Sequence, residues 1–269
     1  MISKHMIQTA IKAALEAGKI LKAGFGNYRT LKFKRGNYRN YLTDIDLKSQ
    51  KTIIRIIKKN YPGHNIIAEE KERNNIKSIN DYYWIIDPLD GTSSFVHNNV
   101  YFGISIALYR NNEPIIGVIY NPQIDELFTA EKNKGSFLNK TTKLKCSNTN
   151  SIKEAKVGMS WASSNKFFRL KGLKIFYDLG LMAKKIDKSG SCTSNLVGVT
   201  NKRFDIGIMG GGYLWDVAAA DLIVREAGGV CTTLNNTKIN LNFKPQIIIT
   251  SANKNLHKKI IYKIKTAIK

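Results

Sequence analysis

Two aspartates three residues apart, Asp87 and Asp90, close the apolar run Tyr83-Trp84-Ile85-Ile86, and Gly91-Thr92-Ser93 follows at once. Carboxylates are the hard oxygen donors that Mg²⁺ takes while it keeps several waters. At positions i and i+3 around Pro88, the two can turn toward a common point. Pro88 has no N–H and cannot extend a sheet, so the strand is expected to break there and free the Leu89 carbonyl as a further oxygen ligand. Gly91 lets the backbone come close to a ligand. The amides of Gly91, Thr92 and Ser93, opening a short helical turn, make a seat for a phosphate. Metal carboxylates beside a phosphate seat are the parts of metal-assisted phosphoryl transfer.

Two more acidic spots sit at an element's end instead of on a solvated face. The β-like Ile66-Ile67-Ala68 leads into Glu69-Glu70, and Asp216 lies in the first turn of a helix whose other positions are apolar. Each has a plainer explanation on its own. Glu69-Glu70 also fits a charged loop start, Asp87-Pro88 an ordinary turn, and Asp216 an acid that favours the helix dipole. Only their combination points to a metal site.

The elements that must position these groups follow from periodicity and turn signals. Residues 1–20 form an amphipathic helix, with Ile7, Ala10, Ile11, Ala14, Ala17 and Leu21 on one face. A Gly/Asn/Tyr-rich connection, Gly24 to Tyr41, leads to a second helix from about Asp46 to Asn60. Strands are expected at Asn65–Ala68, Tyr82–Ile86, Tyr101–Tyr109, Ile115–Tyr120 and Glu126–Ala130, with Asn111-Asn112 as a hairpin turn. Beyond residue 145 strand and helix alternate. Strands fall at Lys156–Trp161, Lys184–Ile186, Phe204–Ile208 and Gln246–Thr250, and helices at Lys166–Leu179, Ser191–Thr200 and Trp215–Ala227. A final helix carries Leu256, Ile260, Ile264 and Ile268. Gly228-Gly229 suits a glycine C-cap, and Gly210-Gly211-Gly212 reads as a flexible turn, since it lacks the Lys and spacing of a Walker motif. The expected architecture is α+β, with an N-terminal half over residues 1–145 and a C-terminal half over 146–269 packed into one layered body.

Composition narrows the classes. Hydrophobic residues make up 43% of the 269, which describes a globular chain. No apolar run nears the ~18 residues that span a bilayer, and the start lacks a secretory signal. Cys146, Cys192 and Cys231 are odd in number and widely spaced, so neither a disulfide frame nor a zinc site is indicated. A cytoplasmic protein with no membrane partner is the simplest reading. The net charge of +23 raises nucleic acid as a partner. Yet Lys far outnumbers Arg and is spread beside many Ile and Asn residues, as AT-rich coding would produce, and the densest segments, Leu31–Arg39 and the C-terminal helix, belong to no nucleic-acid module.

"WIIDPLDGTSSFVH" taken with "WDVAAADLIVREAGG" resembles the paired signatures of the inositol monophosphatase family, in particular its bacterial extragenic-suppressor branch, and the likeness runs end to end. It implies the layered αβαβα sandwich of that family and a Mg²⁺-dependent phosphatase holding two to three ions. By this likeness Glu69, Asp87 and the Leu89 carbonyl would hold one Mg²⁺ and Asp87, Asp90 and Asp216 a second, with a third near Glu69. Asp46 and Thr92 would orient and deprotonate the attacking water, with Glu69 counted in the catalytic set. Gly91, Thr92 and Ser93 would grip the phosphate, and Asp90 would also touch a substrate hydroxyl. Gly190, Ser191 and Cys192 match a helix start that lines the substrate pocket, although Ser191 equally suits a helix cap. His97 reads as support for the phosphate loop. A small phosphate ester as substrate, a homodimer and lithium sensitivity are family expectations, as is an association with RNA or the transcription machinery.

Two departures bear on the substrate. Where inositol-specific members place an acid about seven residues before the WD motif, this chain has Met209 or a neighbouring glycine, and the basic residue that often precedes the Gly-Ser pair is missing from its usual place in "KKIDKSGSC". The metal centre is untouched by these changes. They leave open a sugar bisphosphate or 3′-phosphoadenosine 5′-phosphate as the alternative to an inositol phosphate.

Overall fold

Strand 83–90 is buried on both faces, and its neighbours explain why. In the computed structural model, which describes residues 4–29, 31–34, 37–70, 78–161 and 165–268, this strand, β4 (Tyr83–Asp90), lies between β3 (Asn65–Ala68) and β5 (Gly103–Arg110). β3 runs parallel to it and β5 antiparallel. Trp84 and Ile86 join one apolar cluster and Tyr83 and Ile85 another, as alternate residues of a pleated strand must. The sheet continues antiparallel through β6 (Glu113–Asn121), β7 (Glu126–Glu131), β8 (Gly135–Leu138) and β9 (Thr142–Lys143). Helices α1 (Lys4–Gly24) and α2 (Asp44–Asn60) cover one face.

The other face meets α5 (Cys192–Val197) and α6 (Leu214–Glu226). Three consecutive alanines, Ala218-Ala219-Ala220, let α6 approach β6 closely. A Cβ on Gly117 would come within 2.8 Å of the Ala219 carbonyl. α6 ends as expected: Gly228 takes φ +85°, its amide bonds the Arg225 carbonyl at 3.0 Å, and Gly229 bonds that of Val224 at 3.0 Å, which is the Schellman pattern. Beyond α5 and α6 lies a second sheet, β11-β10-β12-β14-β13, made of β10 (Lys156–Trp161), β11 (Lys185–Asp187), β12 (Ile206–Gly212), β13 (Val230–Thr233) and β14 (Gln246–Ser251). Its outer face carries α4 (Lys166–Gly180) and α7 (Lys254–Ala267). The layers therefore run helix, sheet, helix, sheet, helix, and this is the α+β sandwich expected.

Two local expectations fail. Pro88 does not end its strand: β4 runs on to Asp90, and the disturbance appears as a shift of register against β5 between Asp87 and Asp90. A bulge of this kind absorbs the missing N–H and re-aims side chains. Gly210-Gly211-Gly212 is no flexible turn. It is the buried end of β12, bulged between Gly210 and Gly212 against β14. Met209 folds over Gly212 so closely that any Cβ there would collide with it. In the connection Gly24–Tyr41, β1 (Leu31–Phe33) pairs antiparallel with β2 (Tyr41–Thr43) at its end; Thr30, Arg35 and Gly36 within it lie outside the described residues.

Candidate active site

The acidic end of β4 opens into a cavity whose wall includes Glu69, Asp87, Leu89, Asp90 and Asp216. Asp87, Asp90 and Asp216 each offer an oxygen within 4.8 Å of the others. Asp87 and Asp90 are buried and Asp216 half-buried. Burial, then the neighbouring carboxylates with Glu69 foremost, pushes Asp87 and Asp216 well above the usual carboxylate range. Three like charges this close in a place sheltered from water repel strongly. A hard divalent cation is the partner that this donor set fits.

Asp90 is raised by burial as well, but donors answer it. Ser191 Oγ and Thr193 Oγ1 each donate to its Oδ2 at 2.5 Å. The amides of Thr193 and Cys192 add bonds of 3.0 Å and 3.1 Å. Asp90 thereby seats the first turn of α5, while Ser191 caps that helix by accepting from Ser194 N at 3.1 Å. The structure makes Ser191 a helix cap, fully buried, and of the turn expected to line the substrate pocket Gly190 and Cys192 reach the cavity wall. Asp216 is likewise tied to its own helix start, accepting from the Tyr213 amide at 2.6 Å.

Glu69 stands apart from the triangle. Lys34 Nζ binds its Oε1 at 2.6 Å and also reaches Glu70. The Glu69 carboxylate is thus paired by a cation that sequence reasoning treated only as part of a basic run. The backbone there is fixed by Gln50, whose Oε1 accepts from the Glu70 amide at 3.0 Å.

The turn that follows Asp90 has the backbone form expected of it. Gly91 sits at φ +79°, Thr92–Val96 form the short helix α3, and Phe95 N bonds the Gly91 carbonyl at 3.0 Å. Thr92 Oγ1 shares its proton between Asp46 Oδ1, at 3.1 Å, and the Leu89 carbonyl, at 3.0 Å. Leu89 O is thus already an acceptor. The aim of Asp46 comes from α2, which begins at Asp44, two residues before the expected start. Thr43 and Asp46 form a capping box: the Thr43 amide and hydroxyl donate to Asp46 Oδ2 at 2.8 Å and 2.5 Å, leaving Oδ1 for Thr92. Burial lifts Asp46 to about 6 against those bonds.

His97 is exposed, and its ring nitrogen meets the Ser93 carbonyl at 2.7 Å, which places it in support of the loop. Sequence reasoning missed Lys34, Thr193 and Ser49, whose hydroxyl donates to the Pro88 carbonyl at 2.7 Å. It also missed Trp161 and Tyr213 in the cavity wall. Only Thr193, two residues past Ser191 at a helix start, carried a local signal.

The sequence matches the family model described as the inositol monophosphatase family over residues 3–269. The chain belongs to that family. It is 33% identical over 231 residues to the Nus factor SuhB of Xylella fastidiosa, an alignment spanning 86% of this chain and 82% of that one. To the inositol-1-monophosphatase of Caulobacter vibrioides it is 30% identical over 259 residues, spanning 96% and 100%. Among solved structures it resembles the extragenic suppressor protein suhB of Bartonella henselae, with a TM-score of 0.89, 28% identity and coverage of 98% and 100%. The Thermotoga maritima IMPase gives 0.86, 28% and 98% of both chains. A phosphatase of this superfamily is the activity that the family supports. Among the described residues no helix is long and apolar enough to cross a membrane.

Proposed function

We propose that this chain is a Mg²⁺-dependent phosphomonoesterase that releases phosphate from inositol monophosphate or a similar small polyol phosphate. The observation that carries the reading is the convergence of Asp87, Asp90 and Asp216 within 4.8 Å, at the entry to the Gly91–Ser93 turn. Glu69, Asp87, Asp90, Asp216 and the Leu89 carbonyl would hold two to three Mg²⁺ ions. When bound, such cations supply Lewis-acid activation of water and neutralise developing phosphate charge.

The chain's own residues do the remaining work. Asp46 accepts a proton relayed by Thr92 Oγ1, and its raised pKa of about 6 suits a base that is ionised at neutral pH. Gly91, Thr92 and Ser93 present backbone amides to the phosphate oxygens. The turn through Gly190, Ser191 and Cys192 closes the side where the alcohol leaves. Lithium inhibition and a homodimer accompany this reading by family likeness, and a cytoplasmic location by the sequence reading above.

Met209, only 2% exposed, or a neighbouring glycine stands in the place of the expected ring-binding acid, which favours testing other esters. A phosphate-release panel in Mg²⁺ would compare inositol 1-phosphate, glycerol 2-phosphate, fructose 1,6-bisphosphate and 3′-phosphoadenosine 5′-phosphate. Faster turnover of a bisphosphate would overturn the polyol assignment, and no release from any ester would overturn the phosphatase reading.

A second reading draws on the relatives named Nus factor SuhB and on the net charge of +23. It makes the chain a partner of RNA or of the transcription machinery. If an Asp87→Asn protein without phosphatase activity still sustains the cellular role, binding is the relevant function.

A further inference from the structure

A second cavity, of about 430 Å³, lies behind the turn that seats Asp90, and its chemistry differs from that of the catalytic cleft. Cations dominate its lining, with Lys156, Lys185, Lys188 and Arg203 set against one carboxylate, Asp187. The two cavities share no lining residue, although Ser189 lines one and Gly190 the other.

The cations are brought together by the fold. β10 and β11 pair in parallel with Lys156 directly beside Lys185, and like charges at facing positions destabilise a sheet. Asp187 answers only one of them, at 2.9 Å from Lys185. Lys156 Nζ is turned to the Lys202 carbonyl at 2.6 Å, and Lys188 lies 5.0 Å over the ring of Trp161. Arg203 is fixed by Glu126 at 2.5 Å, with its guanidinium 5.9 Å from the centre of the Tyr101 ring. Lys185 and Arg203 are thus answered by carboxylates, while among the described residues Lys156 and Lys188 stand at this space with no carboxylate paired to them. An anion resolves this arrangement. The volume lies within the range of small-molecule sites, and Tyr101 offers a flat wall beside the charges.

We propose that this cavity binds a phosphate-bearing anion of nucleotide size, with its phosphates among Lys156, Lys185 and Lys188 and its flat ring toward Tyr101. The site is separate from the catalytic one. It also touches the catalytic turn, because the Ser189 carbonyl accepts from both Ser94 Oγ and Asn99 Nδ2 at 3.2 Å.

The test is calorimetric titration of the whole chain with ADP at low salt and in EDTA, so that no metal can carry the ligand to the acidic cleft. ADP should bind, adenosine should not, and inorganic phosphate should compete. The Lys156→Glu/Lys185→Glu protein, checked for an unchanged melting temperature, should bind about tenfold or more weakly. Lys188→Glu, tested on its own, should weaken binding in the same direction. Asp87→Asn should leave the affinity unchanged. The proposal falls if wild type binds no ADP, if adenosine binds as well as ADP, or if the lysine variants keep full affinity. Loss of binding in Asp87→Asn would also overturn it, by assigning the ligand to the catalytic cleft.

Discussion

Ser191 donates its hydroxyl to Asp90 at 2.5 Å across a separation of 101 residues, so one hydrogen bond ties the acidic strand of the first sheet to the helix that fronts the second. Removing it leaves a buried carboxylate short of a donor while Thr193 and two amides remain. Ser191→Ala is expected to lower stability by about 1–2 kcal/mol and to reduce activity less than loss of Asp87 does. Chemical denaturation and phosphate release measured on the same preparation check both halves.

Asp87→Asn should cut phosphate release about a thousandfold or more, because Asp87 is one of the residues that would hold the metal. The same change removes one of three crowded, mutually repelling carboxylates. The metal-free variant is therefore expected to melt no lower than metal-free wild type, and melting curves in EDTA would check this.

The acid limb of activity should follow Asp46. Burial raises its pKa to about 6, and the group works as a base only when ionised, so rate falls as pH drops through that value. An Asp46→Asn protein should be slow at every pH and should lose this limb, as a pH–rate profile from 5 to 8 would show.

His257 sets a different pH dependence. It is buried and bonds Thr232 and Ser251 at 2.8 Å and 3.0 Å, and burial pulls its pKa down from 6.5 to about 4. The unfolded chain takes the proton near 6.5, and the folded chain only near 4. Stability is therefore lost as pH falls between those values, by about 3 kcal/mol in all. His257→Gln should flatten that slope in denaturation measured from pH 7 to 4.

Much of this was legible from residue pattern. Asp87, Asp90 and Asp216 stood out because each sits at an element's end amid apolar neighbours, and the structure gathers them. Thr92 and Asp46 are joined in the sequence only by the family likeness, and the structure bonds them; the capping box from Thr43 to Asp46 that aims the carboxylate is a local signal that an expected helix start at Asp46 passes over. Lys34 was invisible, because its role depends on folding the β1–β2 pair over Glu69, and its neighbours in sequence look like any solvated basic run. Pro88 misled for a related reason. A missing N–H forbids one ladder bond, but pairing with β5 resumes past it, Asp90 opposite Gly103, after a bulge. Gly210-Gly211-Gly212 failed likewise, since the space that these glycines leave is filled by Met209 and the Phe168 ring, which only the packed structure brings there.

The most direct measurement is diffraction from crystals soaked in Mn²⁺ and phosphate, recorded at the manganese edge. Anomalous peaks are predicted between Asp87, Asp90 and Asp216 and beside Glu69, the latter with Lys34 displaced from that carboxylate, and with phosphate on the Gly91–Ser93 amides. Saturated crystals with no peak among Asp87, Asp90 and Asp216 would contradict the metal-dependent mechanism.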